Sequence, residues 1–354
     1  WYQLYQVKVR AVAADTAKSS DYGILGEVKT EKFPTILLPV DAADVVDNAV
    51  RVKWDNMSTD VVTSIKVLLE SDSSVVKEVP LTPTDVTNQY KIVTGLQDDT
   101  GYIIYIYSGT KIKGWDNYRT KAKLTGDIVD LRQIENNSRV LFDTLSKVNA
   151  GATILLARGQ TYDIPSSYVF TKAVKIMSGV SLQGDPAVLS LTGNFDANGV
   201  IDFLAFEDLT IATVGAEYFM NVGYTAKIGE LIFENCKTRG TFTNSLVRLK
   251  TANDEISKVK INNCVMGDIG IAKRYALLQA GASNSAKFVD IEITNSTFYK
   301  LYYFIRQDGI AGNSLIISDC TFDNIINQGG YFVNYSVGSP TTFQLTNTLI
   351  GKTL

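Results

Sequence analysis

From about residue 180 onward, apolar and polar residues alternate in short runs that end at the same kind of corner. The runs are Leu231-Ile-Phe-Glu-Asn-Cys236, Val259-Lys-Ile-Asn-Asn-Cys264, Ile291-Glu-Ile-Thr-Asn-Ser296, Leu315-Ile-Ile-Ser-Asp-Cys320 and Phe343-Gln-Leu-Thr-Asn-Thr348. Leu204-Ala-Phe-Glu-Asp208 and Val180-Ser-Leu-Gln-Gly184 are weaker members. Asn235, Asn263, Asn295, Asp319 and Asn347 recur every 24 to 32 residues, a spacing typical of repeat architectures. The period within each run is two, so each repeat is built of strands. Stacked parallel coils would align Leu231/Phe233, Val259/Ile261, Ile291/Ile293, Leu315/Ile317 and Phe343/Leu345 into interior columns about 4.8 Å apart. Asn tolerates the left-handed backbone of a sharp corner, and its amides stack in ladders.

Ahead of the repeats the period changes. Asn137-Ser138 opens a segment in which Val140, Leu141, Leu145 and Val148 fall on one helical face, and Gly151 follows as a stop. A helix over 137–150 would cover the first edge of the stack, which a solenoid requires. Ala152–Leu156 and Thr161–Ile164 read as strands after it. The other end, Leu349 to Leu354, stops within a strand pattern, and continuation of the chain or contact with another chain is expected there.

The first third is also strand-like. Tyr2 to Ala11 and Tyr22 to Thr30 form two alternating runs, and a second β unit spans about Phe33 to Lys123. Its expected strands are Val50–Trp54, Val61–Glu70, Val75–Val79, Tyr90–Val93 and Tyr102–Ser108, separated by turn-rich segments that suit a sandwich. Trp115, in Lys113-Gly-Trp115-Asp-Asn, reads as a turn residue that packs on its own module or stacks on a sugar.

Two resemblances follow from these residues. Trp54 and the stretch Tyr90-Lys-Ile-Val-Thr-Gly95-Leu96-Gln-Asp-Asp-Thr100-Gly-Tyr102 are similar to the fibronectin type III pattern, and Tyr2 to Ala11 with Val28 and Thr30 looks like the end of another such module. The helix and the Asn-cornered rungs resemble the pectate-lyase-like right-handed β-helix superfamily. The expected order is the end of a first module over 1–33, a second module over 34–124, and a parallel β-helix with an N-terminal capping α-helix over 125–354. That order is similar to surface glycan-utilisation proteins of Bacteroidetes, which implies an extracellular or outer-surface location.

Composition removes several chemistries. Of 354 residues none is histidine, which excludes Ser-His-Asp hydrolysis, Cys-His proteolysis and His-ligated zinc. Thirty-four basic and 37 acidic residues give a net charge of −3, so nucleic acid is not an expected partner. No apolar run approaches the roughly 20 residues that span a bilayer. Cys236, Cys264 and Cys320 all fall on or after the corner and read as small buried hydrophobes with free thiols. Glu230, Lys258 and Asp290 stack in alternating sign and read as structural, and no metal site is expected.

Within the resemblance, work is done on the outer face of one sheet. The middle strands align as Tyr218-Phe-Met-Asn-Val222, Ser245-Leu-Val-Arg-Leu249, Tyr275-Ala-Leu-Leu-Gln279, Tyr303-Phe-Ile-Arg-Gln307 and Tyr331-Phe-Val-Asn-Tyr335. Alternation places Met220, Val247, Leu277, Ile305 and Val333 inside. Phe219, Asn221, Leu246, Arg248, Phe304, Arg306, Phe332 and Asn334 are then outside, a strip that suits an acidic polysaccharide through ring stacking and bidentate Arg pairing. Three readings stay open. One is a non-catalytic binder of uronate-containing glycans. Another is a lyase acting by β-elimination, drawing on Arg248, Lys250, Arg306 and Tyr335, with no cofactor unless Ca2+ assists. The last is a structural or adhesive stalk. The glycosidase members carry paired aspartates and a Gly-His-Gly segment, which the lack of histidine disfavours.

Overall fold

The computed structural model describes residues 4–12, 18–29, 35–55, 61–134, 136–182, 184–272, 274–281, 285–326 and 329–353. Tyr2, Thr30, Phe33 and Leu354, on which expectations above touch, lie outside these residues. The chain divides into two compact units, Trp1–Lys123 and Leu124–Leu354.

In the first unit, Leu4–Val9 and Gly23–Lys29 pair as an antiparallel hairpin. Antiparallel sheets then form a sandwich. One sheet pairs Ala49–Lys53 with Tyr90–Thr94, and the other runs Val75–Pro80, Ser64–Leu69, Gly101–Ser108, Lys111–Arg119. Inward-facing Val50, Val52, Trp54, Ile65, Val67, Tyr102, Ile104 and Ile106 make its core. The Tyr102 hydroxyl accepts the Gln97 N–H at 2.8 Å, a corner that pins the chain before the strand, as in many sandwiches. Trp115 is not in a turn. It lies in the strand Lys111–Arg119 opposite Tyr105, with ring centroids 6.2 Å apart.

The second unit is a right-handed-type parallel β-solenoid of about 8 turns. Each coil contributes to three sheets, here termed A, B and C. Among the described residues, sheet A has nine strands from Ile128–Asp130 to Thr342–Thr346. Sheet B has eight, from Thr161–Ile164 to Leu349–Ile350, and sheet C has seven, from Tyr168–Phe170 to Val333–Tyr335. The register is the one that the apolar pattern demands. Leu204, Leu231, Val259, Ile291 and Leu315 stack in one inward column of sheet A, and Phe206, Phe233, Ile261, Ile293 and Ile317 in the next. All ten are buried, each such side chain contributing about 1.5–3 kcal/mol.

The corner between sheets A and B holds the repeat in place. Asp208, Asn235, Asn263, Asn295, Asp319 and Asn347 all adopt positive φ, between 45° and 57°. Each of the first five donates its backbone N–H to the residue before the next coil's corner, for example Asn235 to the Asn262 carbonyl at 3.0 Å. The Asn235 amide donates to Asp208 at 2.8 Å, and the Asn263 amide to Asn235 at 3.3 Å. The ladder slips once, where Asn295 donates to Asn262 rather than to Asn263. One expected member differs. Val180–Gly184 is not the strand of its coil; that strand is Val174–Ser178, and the Ser178 hydroxyl donates to the Asp208 carbonyl.

Cys236, Cys264, Ser296 and Cys320 follow the corner as an inward ladder. The Cys236 N–H donates to the Cys264 sulfur at 3.3 Å, and the Cys264 N–H to the Ser296 hydroxyl at 3.0 Å. The three thiols are free and buried, and burial raises the pKa of Cys236 well above the ordinary thiol value. The helix is shorter than its pattern, Val140–Leu145, yet Val140, Leu141, Leu145 and Val148 are all buried in the solenoid core. Glu230, Lys258 and Asp290 do stack in register, but the ion pairs run diagonally: Lys258 meets Glu292 at 2.7 Å and Lys260 meets Glu230 at 2.9 Å.

Two predictions follow from this packing. The folded protein should show no reaction with a bulky thiol reagent, and all three cysteines should react after denaturation without reductant. Fewer than three would mean a disulfide. Phe304→Ala should lower unfolding free energy in urea by about 3–5 kcal/mol, because it empties a closed ring cluster. Tyr303→Ala, one residue away on the outside, should cost about 1 kcal/mol.

Candidate functional site

The outer face of sheet C is built by a bend at its entrance. Phe219 and Met220 both donate their N–H groups to the same Leu246 carbonyl, at 3.1 and 2.9 Å. Two successive donors on one acceptor interrupt the pleat as a bulge does, and strict alternation is lost for one step. Two consecutive residues, Phe219 and Met220, therefore point inward here, and Leu246 with Val247 and Phe304 with Ile305 are likewise buried in other coils.

This corrects the expected outer strip. Phe219, Leu246 and Phe304 are interior, not outward. Phe219 packs edge-on against Phe206 and Phe195, with centroids 4.8 and 5.2 Å away. Phe304 sits among Phe298, Phe322 and Phe332 at 4.8–5.1 Å. Phe332 is half-buried and packs on the same core. None of these rings is free to stack on a ligand. Tyr335 shares the inward row with Gln307 and Ala280, and burial pushes its pKa up to about 12, which makes it a poor base. The interior partner of Val247 is Leu278 rather than Leu277, because the coil of Tyr275 carries one extra residue before the strand.

The remaining expected residues do face outward, in one row. Asn221 pairs with Arg248, Arg248 with Gln279, Gln279 with Arg306, and Arg306 with Asn334. Asp196 precedes Asn221 on the same row. Lys250 lies just past the strand Val247–Leu249, exposed, and its positive charge acts on Asp196.

The aromatic side chains beside this row are tyrosines, which the strict alternation had not assigned. Tyr218 and Tyr275 approach edge-to-face at 5.8 Å across the coil of small Ser245. Arg248 packs against both rings from one side of the pair. Its guanidinium lies 5.9 and 5.7 Å from the two ring centres, and its Nη1 donates to the Tyr218 hydroxyl at 3.1 Å. Burial pushes the Tyr218 hydroxyl up to about 12, so it remains protonated. Two coils on, Arg306 lies 5.9 Å from the Tyr303 ring, and Tyr303 stacks on Tyr331 at 5.8 Å. Arg306 Nε donates to Asp308 at 2.9 Å and Nη1 to the Arg274 carbonyl at 3.0 Å. Among the described residues, Arg248 Nε and Asn221 Oδ1, a donor and an acceptor on neighbouring coils, are buried without a protein partner.

The carboxylates near the row are structural. Asp196 accepts the N–H groups of Gly223 at 2.9 Å and Ala197 at 2.7 Å, and burial raises its pKa. Asp254 is fully buried and accepts from Thr251 at 2.8 Å and Ala226 at 3.1 Å, fixing the turn after Lys250. Among the described residues no three His, Cys, Asp or Glu side chains are grouped to hold a metal ion. Nor is any helix among them long and apolar enough to cross a membrane.

No family model matches the sequence, and the search of curated proteins found no match. A solved structure, that of the PL6 family alginate lyase AlyGC, is similar to the chain with a TM-score of 0.36 and 12% identity. The likeness covers 82% of this chain and 47% of the other, so the chain spans about half the length of that structure. At that score it assigns no activity.

Asp254 gives the turn a pH signature. Burial pushes its pKa from 3.8 up to about 6 in the folded protein. The native state therefore holds this proton more tightly than the unfolded chain. The stability it confers is full below about pH 4 and is lost as pH rises through 6. Subtracting the Asp254→Asn profile from that of the wild type should leave a thermal midpoint that falls between pH 4 and 7. A flat difference would refute the assignment.

Proposed function

We propose that the outer face of sheet C binds an acidic polysaccharide chain, with Arg248 and Arg306 as the anionic-group contacts and Tyr303 and Tyr331 as the sugar-stacking surface. The observation that carries this reading is the Tyr218–Arg248–Tyr275 arrangement, repeated in kind by Arg306 beside Tyr303 and Tyr331. Neighbouring rings hold each guanidinium in place, so less side-chain freedom is lost when it pairs with a carboxylate. Tyrosine presents an apolar face and a polar edge, which suits a pyranose ring. Asn221 and Asn334, both part-exposed, add amides along the same line, suited to sugar hydroxyls. A straight row of coils matches a linear polymer better than a small metabolite.

Binding is favoured over β-elimination. A lyase needs a base placed against the C5 proton. Tyr335 points inward, and burial holds the Tyr218 and Tyr335 hydroxyls protonated. The sandwich ahead of the solenoid would act as a fibronectin-type-III-like spacer, and a polymeric ligand fits an extracellular or outer-surface setting.

Arg248→Ala and Arg306→Ala should each weaken retention on an acidic glycan in affinity electrophoresis by about tenfold, the loss of one charge-assisted contact. Urea midpoints should separate this from misfolding. Unchanged mobility of both variants, with the wild type retained, would remove the site.

A further inference from the structure

The outward row of sheet C has its own period. One side chain per coil reads Asp196, Asn221, Arg248, Gln279, Arg306, Asn334. Charged groups and neutral amides alternate without a break. The two guanidiniums are thus separated by a whole coil, a step of roughly 9.5 Å or twice the interstrand spacing. Two pyranose rings of an extended chain advance by a similar distance, so coil and sugar run nearly in step.

Resting on the acidic-glycan reading above, we infer that sheet C selects a glycan whose charged sugars alternate with neutral ones. Successive carboxylates one disaccharide apart would meet Arg248 and Arg306. The sugar between them lies over the coil of Gln279, a buried side chain whose Oε1 is already engaged by the Ala276 N–H at 3.1 Å. An uncharged amide returns little of what dehydrating a carboxylate costs, so a charge on every sugar gains nothing at this coil. Hydroxyl or acetamido groups of a neutral sugar suit the part-exposed amides of Asn221 and Asn334 on the flanking coils. The row also has an end. A third carboxylate, one disaccharide beyond Arg248, would meet Asp196, held in place by two backbone N–H groups. The surface therefore reads two charges and stops.

Among the described residues Arg248 has no carboxylate partner, so its charge is available to a ligand. Arg306 shares its Nε with Asp308, which orients the fork while neutralising part of it. Arg248 is accordingly the stronger of the two contacts.

The test uses the whole chain and four glycans of matched length, the three acidic ones at equal carboxylate concentration. Chondroitin without sulfate and hyaluronan alternate a uronate with a neutral amino sugar; polygalacturonate carries a carboxylate on every sugar; a neutral galactan is the control. At least one alternating glycan should bind about tenfold more tightly than polygalacturonate. Arg248→Gln and Arg306→Gln should each erase that preference, with the Arg248 variant losing more affinity. Equal or tighter binding of polygalacturonate overturns the alternation and leaves the acidic-glycan site standing. Retention of none of the three acidic glycans by folded protein overturns both. A preference that survives in both variants places selectivity elsewhere and overturns the inference.

Discussion

Everything in the second unit depends on one constraint: each coil must lie directly over the last with no slip along the strand. A parallel ladder by itself does not fix this, because neighbouring registers differ by a single residue and every side chain would then change sides. The corner between sheets A and B removes the ambiguity. A residue of positive φ turns the chain sharply, and its N–H is committed to a single carbonyl on the next coil. Asn and Asp tolerate that backbone and link their side chains between coils. With the corner fixed, the apolar columns and the thiol ladder fall into line behind it.

The same constraint makes an outer face into a ruler. Side chains on one row recur at the interstrand spacing, so a polymer of similar repeat meets equivalent groups again and again. What distinguishes sheet C from a solvated face is the quality of its charges. On sheet A the lysines are taken up by glutamates of neighbouring coils, as in Lys258 with Glu292 and Lys260 with Glu230. On sheet C Arg248 packs against two tyrosines and bonds to a hydroxyl instead. A cation held by rings keeps its charge for a ligand, whereas one held by a carboxylate has largely spent it.

Stability and recognition share the same short segments. In Tyr303-Phe304-Ile305-Arg306 the outer residues carry the candidate chemistry and the inner two close the core. In Tyr218-Phe219-Met220-Asn221 the division is the same. The bend that turns two residues inward is what frees the two flanking them to face outward together. Changes at the site must therefore be made on the outer pair, since the inner pair reports on folding alone.

The solenoid was legible from the chain because its determinants are local and periodic. Alternation within a run, an Asn every 24 to 32 residues and a small residue after it each follow from backbone geometry at one coil, then repeat. Asn221, Arg248, Arg306 and Asn334 fall in one row, alternating with the buried column, for the same reason. The phenylalanines do not, since alternation was carried back past the start of the strand, where two successive residues turn inward; at Phe219 and Met220 two N–H groups share one carbonyl. The extra residue before Leu278 and the displaced strand Val174–Ser178 escaped for a related reason, as loop length between coils carries no period. Only the tertiary structure brought Tyr218 and Tyr275 together beside Arg248. They stand 57 positions apart in sequence and meet because an intervening coil presents a serine, too small to separate them. The sequence determined which residues repeat; the stacking of coils decided which of them meet.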